Sequence, residues 1–250
     1  MQRKKTSLTC LGLEMCSVIG VYIVEPKAQE FDLVRRVFLE SRVRGLHATG
    51  VAYLKGGELL SKVEPIPADV FVERFFSEPT SFLNEDGNLY LIGHCRYSTS
   101  DLRYNQPLVD SEVAISHNGV ISQELPENWE KLYGVTCTTS NDSELLLRSL
   151  GKGSPLGKWP VSSIAAVELR KDKVLRAYRN GKRPLYYKEL DSGVIVTSTR
   201  DIAKRAGLTG ASEIAMGETI AISPASGIVK SIDPSKSADL QNQSFQRTLR

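Results

Sequence analysis

Apolar residues recur along this chain with two different periods, and each change of period marks an element. Residues 17–24 form an apolar, β-branched run that stops at Glu25-Pro26, as a buried strand does, and Cys16 stands at its start. From Gln29 to Val43 the spacing lengthens. Phe31, Val34, Val37 and Phe38 or Leu39 recur at helical intervals with charges between them, and Gly45 follows, which predicts an amphipathic helix. Runs 50–54 and 59–63 flank Lys55-Gly56-Gly57-Glu58, whose glycines predict a tight β-hairpin. Helices are further predicted over 68–76, 142–150 and 201–205, and strands over 89–97 and 112–116. The later half reads as a meander of strands at 162–169, 174–178, 185–188 and 194–197, followed by a last pair at 217–223 and 227–232.

Strands outnumber helices and show no regular βαβ alternation. This predicts an α+β domain of antiparallel sheets with helices packed on their outer faces. One globular domain is expected over residues 16–232. Residues 1–15 read as an upstream extension or propeptide, and the polar, aperiodic stretch 233–250 reads as a disordered tail.

Composition narrows the partners. The 32 basic and 29 acidic residues are scattered, so the net charge of +3 gives no reason to invoke nucleic acid or an anionic membrane. Residues 1–15 lack an apolar signal core, and no run approaches the roughly 20 apolar residues of a membrane-spanning helix. Cys10, Cys16, Cys95 and Cys137 fit neither a disulfide framework nor a CxxC metal site, which predicts a reducing, cytoplasmic location. No phosphate-binding glycine loop or metal-ligand cluster stands out, so no metal and no cofactor is expected.

Five short segments carry the candidate chemistry: Met15-Cys16-Ser17-Val18-Ile19-Gly20, Arg44-Gly45-Leu46-His47-Ala48-Thr49-Gly50, Gly93-His94-Cys95-Arg96-Tyr97-Ser98-Thr99, Ser116-His117-Asn118-Gly119 and Ser140-Asn141-Asp142-Ser143-Glu144. Their order and spacing resemble class II glutamine amidotransferases over most of the chain. Gln106-Pro107 and Asn180-Gly181-Lys182-Arg183-Pro184-Leu185 are most similar to the glutaminase halves of phosphoribosylpyrophosphate amidotransferases and asparagine synthetases. The pattern departs from the family at Ser100-Asp101, where a glycine is usual after the threonine. The resemblance implies an N-terminal-nucleophile hydrolase fold, a four-layer αββα sandwich.

It also implies a set of roles. Cys16, as a mature N-terminal residue, would be the nucleophile, with its own α-amino group as base, because a free amine of pKa about 7.7–8.0 can accept the thiol proton. No histidine is then required. The Asn118 side-chain amide and the Gly119 N–H would form the oxyanion hole. Arg96 would bind the glutamine carboxylate and Asp142 its ammonium. Tyr97, Ser98 and Thr99 would line the pocket, and Arg44 would lie beside the nucleophile. The product ammonia would pass to a separate synthetase or transferase subunit. The mechanism needs residues 1–15 to be absent, through a start at Met15, the favoured reading, or through cleavage.

Each segment also has a plainer reading. A lone cysteine is more often core than nucleophile, Asn-Gly is an ordinary turn dipeptide, and Asp142 could merely cap the helix after it. Two other functions compete: an N-terminal-cysteine hydrolase acting on a different amide, and a non-catalytic binding or regulatory subunit.

Overall fold

A computed structural model describes residues 16–97, 105–150 and 155–232. The extension at 1–15 and the tail at 233–250 lie outside these residues, as do Cys10, Ser98 and Thr99. Thirteen strands and six α-helices follow in order: β1 (Ser17–Ile23), α1 (Ala28–Ser41), β2 (Ala48–Lys55), β3 (Glu58–Glu64), α2 (Ala68–Phe75), β4 (Leu89–Arg96), β5 (Leu108–Val109), β6 (Val113–Val120), α3 (Trp129–Tyr133), α4 (Ser143–Ser149), α5 (Pro155–Lys158), β7 (Ser163–Arg170), β8 (Leu175–Arg179), β9 (Tyr186–Leu190), β10 (Gly193–Thr197), α6 (Arg200–Ala206), β11 (Ser212–Glu213), β12 (Glu218–Ser223) and β13 (Gly227–Ile232).

The strands form two antiparallel sheets. A seven-stranded sheet runs β11-β9-β10-β1-β4-β2-β3, and a six-stranded sheet runs β13-β12-β8-β7-β6-β5. Side-chain alternation sorts each strand between two layers. Val18 and Tyr22 of β1, Tyr90 and Ile92 of β4, Ala114 of β6 and Val167 of β7 fill the space between the sheets. Ile19, Val21, Leu91 and Cys95 face the other way, onto Val34, Val37 and Phe38 of α1. Ile115 of β6 and Ala166 of β7 pack against Leu145, Leu146 and Trp129. The result is helix on sheet on sheet on helix, in agreement with the expected α+β sandwich.

Local signals explain the elements that position the site. In α1 the buried stripe Val34, Val37, Phe38 and Ser41 follows the helical period, and Glu30 reaches back to accept the Lys27 N–H at 2.9 Å, closing the first turn. Gly56 and Gly57, at φ +62° and +68°, make the two-residue turn of the β2–β3 hairpin.

Two expectations and one plainer reading are corrected. The strands at 162–197 are not one meander, because β7 and β8 belong to the six-stranded sheet whereas β9 and β10 belong to the other. The strand expected to end at Ser116 continues to Val120, paired with β7 throughout, so Asn118-Gly119 is strand and not turn. Asp142 stands at the start of α4 but does not cap it with its side chain. Among the described residues, no helix is long and apolar enough to cross a membrane.

Candidate active site

At one end of the inter-sheet layer the packing opens into a cavity of about 440 Å³, lined among others by Cys16, His94, Arg96, Tyr97, Asn118, Gly119, Asp142 and Arg183. The alternation of β1 directs Cys16 to this face, in line with Val18 and Tyr22. Its position is fixed from two sides. Beyond the last β1–β10 pair, Ser198 substitutes its side chain for strand pairing: its Oγ accepts the Val18 N–H at 2.8 Å. Arg44 donates from Nε to the Cys16 carbonyl at 3.2 Å. The thiol itself points to the Tyr97 carbonyl, 3.8 Å away.

Burial pushes the Cys16 thiol above its ordinary value, although the Tyr97 carbonyl interaction and the charges of Arg96 and Arg44 act the other way. The thiol is therefore protonated at neutral pH and needs a base to react. Arg44 is in turn lowered from its usual value, first by burial and then by the nearby Arg183.

Asn118 enters from the facing sheet. It is 4% exposed, and its Nδ2 is a buried donor with no hydrogen-bond partner. Leaving such a group unpaired costs about 1–3 kcal/mol, so the position is not one that stability favours. Gly119 follows at φ +155°, and a Cβ there would collide with the Ser163 carbonyl and lie 2.8 Å from His117 Nε2. Only glycine fits.

Asp142 reaches the cavity from the loop before α4. Its Oδ2 accepts the Ile121 N–H at 2.6 Å and the Ser122 N–H at 3.3 Å. That loop is held by Glu144, 2% exposed, whose carboxylate accepts both N–H and hydroxyl donors of Thr138 and Thr139 and is met by Arg148 at 3.0 Å. Burial would raise the Glu144 carboxyl, but these hydrogen bonds outweigh it and hold the group below its ordinary value. Arg96 is anchored by donating from Nη1 to Asn105 at 2.9 Å. Tyr97 packs its ring against His47 at 4.7 Å.

Of the residues singled out in the sequence, Cys16, Arg96, Tyr97, Asn118, Gly119 and Asp142 all line the one cavity, and Arg44 touches Cys16 from behind. Ser98 and Thr99 lie outside the described residues. Cys95 is core, its thiol pushed up to about 12 by burial. Cys137 packs beside the helix layer on the six-stranded sheet. Among the described residues no group of three or more His, Cys, Asp or Glu side chains could hold a metal ion.

Sequence reasoning missed four contributors. His94 lines the cavity, is 1% exposed, leaves both ring nitrogens without a hydrogen-bond partner, and is held neutral by burial, its pKa lowered to about 3. Gln106 donates from Nε2 to the His117 carbonyl at 3.1 Å and accepts the His117 N–H at 2.7 Å. Asn180 accepts the Ile164 N–H at 3.0 Å and donates to the Ser162 carbonyl, fixing the segment under Gly119. Arg183 reaches the cavity from the same loop as Asn180. The signal for the last three was present in Gln106-Pro107 and in the run 180–185, segments that carried a resemblance without a role.

No protein-family model matches the sequence, and no curated protein matches it. Solved structures do match in three dimensions. Glutamine phosphoribosylpyrophosphate amidotransferase from B. subtilis, complexed with ADP and GMP, superposes with a TM-score of 0.63 at 20% identity, over 87% of this chain and 49% of that one. An enzyme described as the allosteric regulatory enzyme of purine biosynthesis gives 0.62 at 20% identity with the same coverage. A glutamine aminotransferase class-II domain protein from Silicibacter pomeroyi gives 0.52 at 15% identity, over 87% of this chain and 98% of that one. The chain thus spans about half the length of the first two. With its paired antiparallel sheets, outer helices and a cysteine heading a central strand, this chain has the N-terminal-nucleophile hydrolase fold of class II glutamine amidotransferase domains.

Proposed function

We propose that this chain, in a form beginning at Cys16, is a glutaminase that hydrolyses the glutamine side-chain amide to glutamate and ammonia. One observation carries the reading: the unpartnered Asn118 Nδ2 donor is buried in the cavity that Cys16 heads. A donor left idle at a cost in stability beside a nucleophile is what a developing oxyanion requires.

A free α-amino group at Cys16 resolves the problem of the raised thiol. It accepts the thiol proton, directly or through a water, as sulfur attacks the amide carbon. Charge builds on the carbonyl oxygen, stabilised by Asn118 Nδ2 and the Gly119 N–H. The proton returns to the leaving nitrogen, the C–N bond breaks, and ammonia departs from a thioester on Cys16. Water then adds to the thioester, the amine takes its proton, and glutamate leaves as the thiolate is reprotonated. Arg96 holds the substrate carboxylate. Asp142, with Oδ2 committed to Ile121 and Ser122, offers Oδ1 to the substrate ammonium. Tyr97 completes the pocket.

The ammonia is passed to an acceptor site on a synthetase or transferase, the arrangement in which it escapes protonation by bulk water. The chain acts in the cytoplasm. Protein prepared to begin at Cys16 is expected to release glutamate from glutamine, alone or with its acceptor enzyme, and Cys16→Ala is expected to lower that activity at least about 10³-fold. A wild-type protein with a verified Cys16 terminus that binds glutamine and leaves it intact would end this reading in favour of a non-catalytic binding subunit. Hydrolysis of neutral acyl amides in preference to glutamine, unaffected by Arg96→Ala, would transfer it to another amide.

A further inference from the structure

The outer edge of β6 carries an arrangement that neither the strand pairing nor the roles above explain. In an antiparallel strand the N–H and C=O of alternate residues point to the same edge. Ile164, opposite Gly119 across the ladder, directs its N–H and C=O toward Asn180 on the far side. Gly119, and with it His117, therefore presents its main-chain groups to the edge away from β7, as does the N–H of Ile121 just beyond the strand, whose carbonyl instead accepts from Ser162 Oγ. The neighbouring strand there, β5, covers only Leu108–Val109, which pair with Ile115 and Ala114. Beyond that point side chains take over from strand. Gln106 satisfies both main-chain groups of His117, as a strand residue would, and Asp142 accepts the N–H of Ile121. Gly119 lies between these two capped positions.

Gln106 does more than cap. Its Nε2 also donates to Ser143 Oγ at 3.2 Å, and Ser143 Oγ lies 2.9 Å from His117 Nδ1. His117 Nε2 faces the Ser163 carbonyl at 3.0 Å. A carbonyl only accepts, so Nε2 carries the proton, and Nδ1 accepts from the Ser143 hydroxyl. That Ser163 carbonyl is the atom filling the space where a Cβ on Gly119 would be. One chain of hydrogen bonds thus runs from the start of α4 through Gln106 and His117 to the main chain packed beneath Gly119.

We propose that Gln106, acting with Ser143 and His117, is a positioning residue that substitutes for a missing strand and holds the Asn118-Gly119 donors at the spacing the oxyanion needs. This rests on the glutaminase reading above. Asp142 is fixed independently, by the Ile121 and Ser122 N–H groups and by the Glu144 clamp on its loop. Loss of Gln106 should therefore misplace the transition-state donors while sparing Asp142, which binds the glutamine ammonium in the ground state.

The test uses protein beginning at Cys16 and its Gln106→Met, Gln106→Glu and Ser143→Ala variants. Gln106→Met keeps the volume and loses every hydrogen bond; kcat should fall roughly 10- to 100-fold with KM changed less than about 3-fold. Gln106→Glu, which still accepts the His117 N–H, should recover part of the loss. In parallel, the ¹⁵N shifts of the His117 ring should report the Nε2–H tautomer in the wild type and a mixture in Gln106→Met and Ser143→Ala. An unchanged kcat in Gln106→Met, a proportional rise in KM, or a wild-type His117 protonated at Nδ1 overturns the proposal. A wild type that does not hydrolyse glutamine defeats the functional reading alone, and the tautomer measurement then decides the network. If Gln106→Met does not fold, Ser143→Ala and the wild-type ring spectrum decide it.

Discussion

The two ends of the space between the sheets are built by the same strands and obey different rules. Toward one end, Tyr22 of β1, Leu54 of β2, Tyr90 of β4 and Leu169 of β7 close into an apolar layer, with the Tyr22 and Tyr90 rings 5.0 Å apart. At the other end β1, β4 and β6 contribute Cys16, His94, Arg96 and Asn118 around a void. Asn118 Nδ2 and both His94 ring nitrogens are buried there without hydrogen-bond partners, each at a cost of about 1–3 kcal/mol. The first end supplies the stability that the second consumes. Where local chemistry and packing disagree within one layer, the disagreement singles out the candidate site.

Substitutions can break this contrast. Leu54→Ala, at the apolar end, is expected to lower stability by about 2–5 kcal/mol in urea unfolding and to leave kcat per folded molecule unchanged. Asn118→Ala, at the polar end, should do the reverse: kcat for glutamine falls roughly 10²–10³-fold, while the melting temperature holds or rises because an unpaired donor is gone. If Asn118→Ala destabilises as Leu54→Ala does, the donor is structural and the contrast fails.

Acid should sharpen the comparison at smaller amplitude. His94, with a native pKa of about 3 against an ordinary 6.5, is buried neutral, and burial likewise lowers His117 despite the facing charge of Asp142. Below pH 6.5 the unfolded chain takes up protons that the native state refuses. Stability should therefore fall on acidification, by at most about 1.4 kcal/mol per pH unit for each histidine, for His94 over the window from about 6.5 down to about 3. His94→Gln should flatten the slope measured between pH 6 and 5. An unchanged slope would mean that His94 is protonated in the folded protein. Glu144 acts in the same direction over a lower window, since its lowered carboxyl loses its contribution as pH falls from about 4.5 through its native value.

What was legible in the sequence follows from how far each signal reaches. The β1 run, the α1 stripe and the Gly56-Gly57 hairpin are local patterns, and all three took the expected form. β6 was cut short because His117-Asn118-Gly119 breaks the apolar pattern, and what sustains the strand lies elsewhere: pairing with β7 and the side chain of Gln106. The crossing between β8 and β9 was invisible because a strand's own residues do not encode which sheet it joins. The two-residue strands β5 and β11 are too short to carry a period. His94 was set aside as dispensable to the mechanism, since only its neighbours in space show it to be a neutral, unpartnered ring.

The clamp of Ser198 on Val18 spans 180 residues. It gives Cys16 a history as well as a place. The strand that Cys16 heads lies between β4 and β10, so during synthesis it has no complete seat until residues 193–198 have left the ribosome. A nascent chain shorter than that carries Cys16, and even Asn118 and Gly119, without the frame that brings them together. The cavity that Cys16 heads is therefore completed late, by the order in which the chain is made.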